Sequence, residues 1–309
     1  MLLDRVLASV ERSPDRPAFI AGGQPVSYRQ FRALLARTIA HLRSLGIGPG
    51  DVVGLSMGQS PLYLIVFVAL GWIGALVVPI APSLRAPDRD ALLRKFRVGA
   101  LVSERLEVVP PECRMLQLHG IGARGDETLI DSGDPGFGRD TPLRLALTTG
   151  TTGLPRGVMQ THGTFEERLD RMHCDVAPVP RVLPPAPRVL PPALHITIAL
   201  NLAMHALCKG GVVVFPRGYG NEDFFEAIRS HGVTHVTVPP ANLALMLAAL
   251  PRDGPAFPGG WSRGCGSSWS SATRSASRSR ACRRTTTASM RAAARAFATA
   301  GSTRATAAA

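Results

Sequence analysis

The chain has 309 residues, room for one large domain or two modest ones and ample length to bury a core. Its net charge of +13 would point to nucleic acid or an anionic surface. However, nine arginines and no Asp, Glu or Lys fall in residues 259–309, which leaves only +4 on the first 258. Cys113, Cys174, Cys208, Cys265 and Cys282 form no Cys-x-x-Cys pair, so neither a zinc site nor a disulfide framework is indicated and a reducing cytoplasm is the expected setting.

Ala18-Phe19-Ile20, Gly22-Gly23 and Pro25-Val26 read as a small hairpin. Ser27-Tyr28-Arg29-Gln30 is a capping box, and Phe31, Leu34, Leu35, Thr38, Ile39, Leu42 and Leu45 follow at helical spacing. Gly46 stops that helix, and Gly48-Pro49-Gly50-Asp51 turns the chain into a strand at Val52 to Ser56. Leu62 to Ala81 is an uncharged apolar run of 20 residues, long enough on paper to span a bilayer. Gly71, Gly74 and Pro79 divide it, so a Pro61-initiated buried helix, a turn and a strand at Leu76-Val77-Val78 are expected instead, with no transmembrane segment.

A polar helix near Pro87 to Phe96 and strands at Ala100 to Ser103, Met115 to Leu118 and Arg144 to Leu147 continue the alternation. Gly211 to Pro216 and Val233 to Pro240 read as further core strands. Strands alternating with helices predict an α/β fold with a parallel or mixed sheet, whose ligands gather beyond the strand ends. Gly120 to Thr141 is loop-like; its Asp131 and Asp134 lack calcium-loop spacing and read as solvated. The N-terminus lacks the basic-then-apolar pattern of a signal peptide.

The most informative stretch is Leu145 to Gly157, Leu-Ala-Leu-Thr-Thr-Gly-Thr-Thr-Gly-Leu-Pro-Arg-Gly. Its last ten residues hold four threonines, three glycines and one arginine. Glycine lets backbone approach a ligand closely, hydroxyls and N–H groups surround it, and Arg156 adds a planar donor fork. Such a loop suits a polyphosphate, although no Gly-Lys-Ser/Thr follows at P-loop spacing. The plain alternative is a Gly/Thr turn between strand and helix.

Thr149-Gly150-Thr151-Thr152-Gly153-Leu154-Pro155-Arg156 resembles the signature loop of the adenylate-forming (AMP-binding) superfamily, acyl-CoA synthetases included. The order of cap, helix, Leu-Gly-Ile-Gly-Pro-Gly-Asp, strand, Pro-initiated helix and Gly-Ala-Leu-Val-Val-Pro is similar to the N-terminal regions of those enzymes over residues 1–258. The resemblance implies ATP-phosphate binding by Thr148, Thr149, Gly150, Thr151, Thr152, Gly153 and Arg156, the last neutralising the departing pyrophosphate. It also implies that His195, in Ala193-Leu194-His195-Ile196-Thr197, lines the acyl pocket. The family usually carries an aromatic before that histidine, here Leu194, and a packed helix-start residue is the alternative. The implied reaction activates a carboxylic (fatty or aryl) acid with ATP to acyl-AMP, then passes the acyl group to coenzyme A.

His231 and His235 have no carboxylate or cysteine close in sequence to complete a zinc set. Pro180 to Ala186 is repeated residue for residue as Pro187 to Ala193. Two copies do not make a solenoid; one fits the strand before the histidine motif, and the other reads as a small duplication that must bulge out or disturb that strand. A proline-rich recognition segment is the alternative.

Residues 259–309 contain no Leu, Ile, Val, Asp, Glu, Pro or His, too little to offset ordering entropy, so a disordered tail is expected. A shifted reading frame in a G+C-rich gene yields this vocabulary and is favoured over a genuine basic tail that binds nucleic acid. The reading is therefore an incomplete N-terminal adenylate-forming domain over 1–258 and a low-complexity tail over 259–309. The family's later motifs, among them its Mg²⁺ glutamate, find no match here. A truncated enzyme with impaired activity is the first expectation, and a non-catalytic nucleotide- or acyl-binding module the second.

Overall fold

The computed structural model describes residues 2–118, 136–148, 155–172, 194–218 and 220–236, and the backbone of 188–190 and 269–270. Helix α1 (Leu2–Arg12) precedes the hairpin β1 (Pro17–Ala21) and β2 (Gln24–Ser27). Helix α2 (Tyr28–Ser44) starts where the capping box places it: the Gln30 N–H donates to Ser27 Oγ, and the Ser27 N–H donates to Gln30 Oε1 at 2.8 Å. Next come β3 (Val52–Ser56), α3 (Pro61–Ile73), β4 (Leu76–Pro79), α4 (Ala86–Lys95), β5 (Ala100–Ser103) and β6 (Arg114–Leu116). The apolar run is thus a helix, a left-handed Gly74 (φ 83°) and a strand. No helix among the described residues is long and apolar enough to cross a membrane.

The second half brings β7 (Pro142–Thr148), β8 (Arg156–Thr161), α5 (His162–Arg171), β9 (Arg188–Leu190), α6 (Thr197–Cys208), β10 (Val212–Phe215), α7 (Asn221–His231), β11 (His235–Val236) and β12 (Trp269–Ser270). One sheet has the order β12-β11-β9-β10-β1-β2 and the other β6-β5-β3-β4-β7-β8. In each, the four central strands and their neighbours pair in parallel, apart from the antiparallel pairs β1·β2, β11·β12 and β7·β8 at three of the edges. The second heptad copy supplies β9, between β10 and β11; the first lies outside the described residues. Of the tail, the described part is β12.

Neighbouring residues in one strand enter different cores. Phe19 and Val213 of the first sheet share a central cluster with Val53, Leu55, Val77 and Val102 of the second and with α1, α2, α3 and α6. Ile20, Val212 and Val214 point the other way, onto Phe225 and Ile228 of α7. Val78 and Leu101 likewise meet Leu92 and Leu93 of α4. This period of two, with both faces covered, gives the strands their near-continuous apolar composition. Two sheets thus sandwich a helical layer, with one further helix outside each.

Two contacts tie that layer together. Buried Tyr28 places its hydroxyl 2.8 Å from the Gly211 carbonyl and 3.1 Å from that of Leu207, joining α2 to the end of α6. Arg5 grips Asp170 with two bonds of 2.6 and 2.9 Å, joining α1 to α5.

Candidate functional site

The Thr/Gly loop does not lead from strand to helix. It joins two antiparallel strands, with Leu147 opposite Gly157 and Thr148 opposite Arg156. The helix follows only after β8, where Thr161 caps α5 through the Thr164 N–H. Thr148 donates its hydroxyl to the Arg156 carbonyl at 3.2 Å, and Lys95 Nζ donates to the Pro155 carbonyl at 2.8 Å. A Cβ on Gly157 would lie 2.9 Å from the Phe96 ring, so only glycine lets the hairpin stem sit this close to the end of α4. Thr148 and Arg156 are both exposed. Thr149, Gly150, Thr151, Thr152 and Gly153, like Asp131 and Asp134, lie outside the described residues.

Because β7 runs parallel to β4, Thr148 emerges at the C-terminal edge of the sheet, the edge that also ends β3, β4 and β5. A cleft of about 460 Å³ opens along that edge. Ser56 and Met57 line it after β3, Pro82 and Ser83 after β4, Ser103 and Glu104 at β5, and Leu194 and His195 ahead of α6. This is where open parallel sheets place ligands. The His195 imidazole is half-buried, and burial first, then the nearby Arg144 charge, holds its pKa below the usual 6.5. The lowered pKa favours the neutral ring, able to donate from one nitrogen and accept at the other.

The described carboxylates beside the cleft are already engaged. Glu107 accepts from Ser103 Oγ at 2.9 Å and pairs with buried Arg89; Glu104 accepts from the Gly58 N–H at 3.2 Å. No group of three His, Cys, Asp or Glu among the described residues is placed to hold a metal ion. His231 closes α7 while His235 sits in β11 with its Nδ1 2.8 Å from Thr234 Oγ1. Burial pushes the Cys208 thiol up to about 12 and raises that of Cys113, which leaves both as inert thiols.

Sequence reasoning passed over one residue of the site. Arg144 stands in the middle of β7, 1 % exposed, with Nη2 donating to the His195 carbonyl at 3.3 Å. The available signal was a lone arginine between Leu143 and Leu145 in a strand with both faces covered.

The family model for AMP-binding enzymes matches residues 6–295, and the chain belongs to that family. Among curated relatives, it is 28% identical over 244 residues to a feruloyl-CoA synthase of Amycolatopsis sp., covering 78% of this chain and 48% of that one. It is 26% identical over 254 residues to the fatty acid–[acyl-carrier-protein] ligase ScoC of Streptomyces coeruleorubidus, covering 77% and 47%. The chain spans no more than about half the length of these relatives. In fold it is similar to the N-terminal domain of FACL13 from Mycobacterium tuberculosis, with TM-score 0.66 at 23% identity over 83% of this chain and 68% of that one. It is likewise similar to the nonribosomal peptide synthetase FmoA3 solved with AMPPNP, with TM-score 0.70 at 23% identity over 82% and 27%.

Proposed function

We propose that this chain carries the ATP-phosphate loop and the acid-binding cleft of an enzyme that activates a fatty or aryl carboxylic acid. The observation that carries the reading is the shared sheet edge: Thr148 and Arg156, which frame the Thr/Gly loop, rise from the edge along which the His195 cleft opens. In the proposed reaction a carboxylate oxygen of the acid attacks the α-phosphorus of ATP, the bond to the bridging oxygen breaks, and pyrophosphate leaves. The Arg156 guanidinium binds the departing phosphates, where fixed donors stabilise developing charge, while the Thr148 hydroxyl, given to the Arg156 carbonyl, closes the stem beneath the loop. His195 orients the carboxylate, and the apolar wall of Met57 and Leu194 takes the body of the acid. Coenzyme A is the proposed acceptor of the acyl group, consistent with the feruloyl-CoA synthase relative.

Residues 259–309 hold no Asp or Glu, and we propose that the 309-residue chain by itself activates acids poorly. This composition also favours a second reading, a module that binds nucleotide or acyl group without turnover. ATP–pyrophosphate exchange with a panel of fatty and aryl acids tests both. Weak, acid-dependent exchange is expected; saturable ATP binding with none supports the module. Exchange as fast as that of a full-length relative contradicts impairment, and absence of both exchange and ATP binding contradicts the site.

A further inference from the structure

Arg144 has no structural need to be an arginine. Among the described residues its Nε and Nη1 are buried without a hydrogen-bond partner, and its guanidinium has Tyr63 of α3 and the like-charged Arg168 of α5 for company. A buried cation left without a carboxylate is costly, and an apolar residue of similar volume would serve the fold at least as well. What the arginine does contribute is directed at one place. Across 51 residues of sequence, it reaches the turn at Leu194–Ile196 that carries His195 to the cleft wall.

We propose that Arg144 is a positioning residue for the cleft: it clamps the main chain at His195 and sets a buried positive charge behind that imidazole. The clamp fixes the backbone from which the ring projects. The charge lies in a low-dielectric interior, where it acts more strongly than in water. It opposes a second positive charge on His195 and favours a negative one in front of it, as a carboxylate ligand requires. Glu104, Arg105 and Glu107, from the segment after β5, are the other charged residues lining the same cleft. This inference deepens the proposed reading of the cleft as an acid site, but its test does not depend on turnover.

The experiment is an NMR titration of the histidine ring protons in the full chain, with the His195 signal assigned by its loss in His195→Gln. In the unsubstituted protein His195 is expected to titrate below the usual histidine value. In Arg144→Met its midpoint rises but stays below that value, because burial persists; in Arg144→Lys it stays low. Arg144→Gln removes the charge while keeping a donor, and carries the same expectation should Arg144→Met fail to fold. An unchanged His195 midpoint in the charge-removing variants overturns the proposal. An equal rise in Arg144→Lys, where the charge is kept, overturns it as well. Failure of acid activation with the Arg144-dependent shift intact would count against the proposed function alone.

Discussion

Thr148 and Arg156 face each other across the β7–β8 pair, tied by a 3.2 Å bond from the Thr148 hydroxyl to the Arg156 carbonyl. That bond uses the arginine main chain, and the residue is exposed.

Arg156→Ala is therefore expected to weaken ATP binding by roughly tenfold, the loss of one charge-assisted contact of about 1.5 kcal/mol. Stability should change by less than about 0.5 kcal/mol, since the side chain is exposed. Isothermal titration with ATP and a urea melt of the same variant separate the two quantities.

Gly74 ends α3 at φ 83°, and a Cβ there would also lie 2.9 Å from the Phe137 ring. Gly74→Ala should cost about 1–2 kcal/mol from the left-handed backbone alone. A lower urea midpoint with an unchanged slope is the expected signature.

Tyr28→Phe keeps the buried ring and removes the hydroxyl that serves the Gly211 and Leu207 carbonyls. With buried acceptors left short of a donor, a loss of about 1–2 kcal/mol is expected. Equilibrium denaturation measures it, and amide exchange should speed up at the α6–β10 junction.

Burial holds His162, His195, His205 and His235 below the usual 6.5 in the folded chain. As pH falls through that value, the unfolded chain takes up protons that the folded one refuses. The unfolded state binds more protons there, so stability decreases on acidification and is regained above the unfolded value. Urea midpoints at roughly pH 7.5 and 5.5 should differ in that order. Replacing half-buried His205, whose Nδ1 lies 3.0 Å from the Leu169 carbonyl, with Gln should reduce the difference.

Local chemistry explains which elements were legible. The Ser27/Gln30 box, the Pro61 start, and the apolar runs Val52–Ser56 and Ala100–Ser103 each carry their own signal, and the structure places them where the residues indicate. Strand β8 carries none: Arg-Gly-Val-Met-Gln-Thr mixes glycine with polar residues, and Val158 and Met159 remain half exposed at the sheet edge. It is a strand because β7 pairs with it, a tertiary cause invisible in a window of six residues. Helix α5 has a readable start in Thr161 and Thr164, with Phe165 and Leu169 four apart. The loop motif was legible as chemistry, whereas the alliance of Arg144 with His195 was not, because no local pattern links residues 51 apart.

The proposed function requires the loop between Thr148 and Arg156 to receive the phosphates of ATP beside the His195 cleft. Amide hydrogen exchange of the peptide spanning residues 145–157, with and without ATP, tests it most directly. Saturable slowing of exchange in that peptide, lost in Arg156→Ala, is the expected result. Identical exchange with and without millimolar ATP, in a chain whose β1 and β3 amides remain protected, would contradict it.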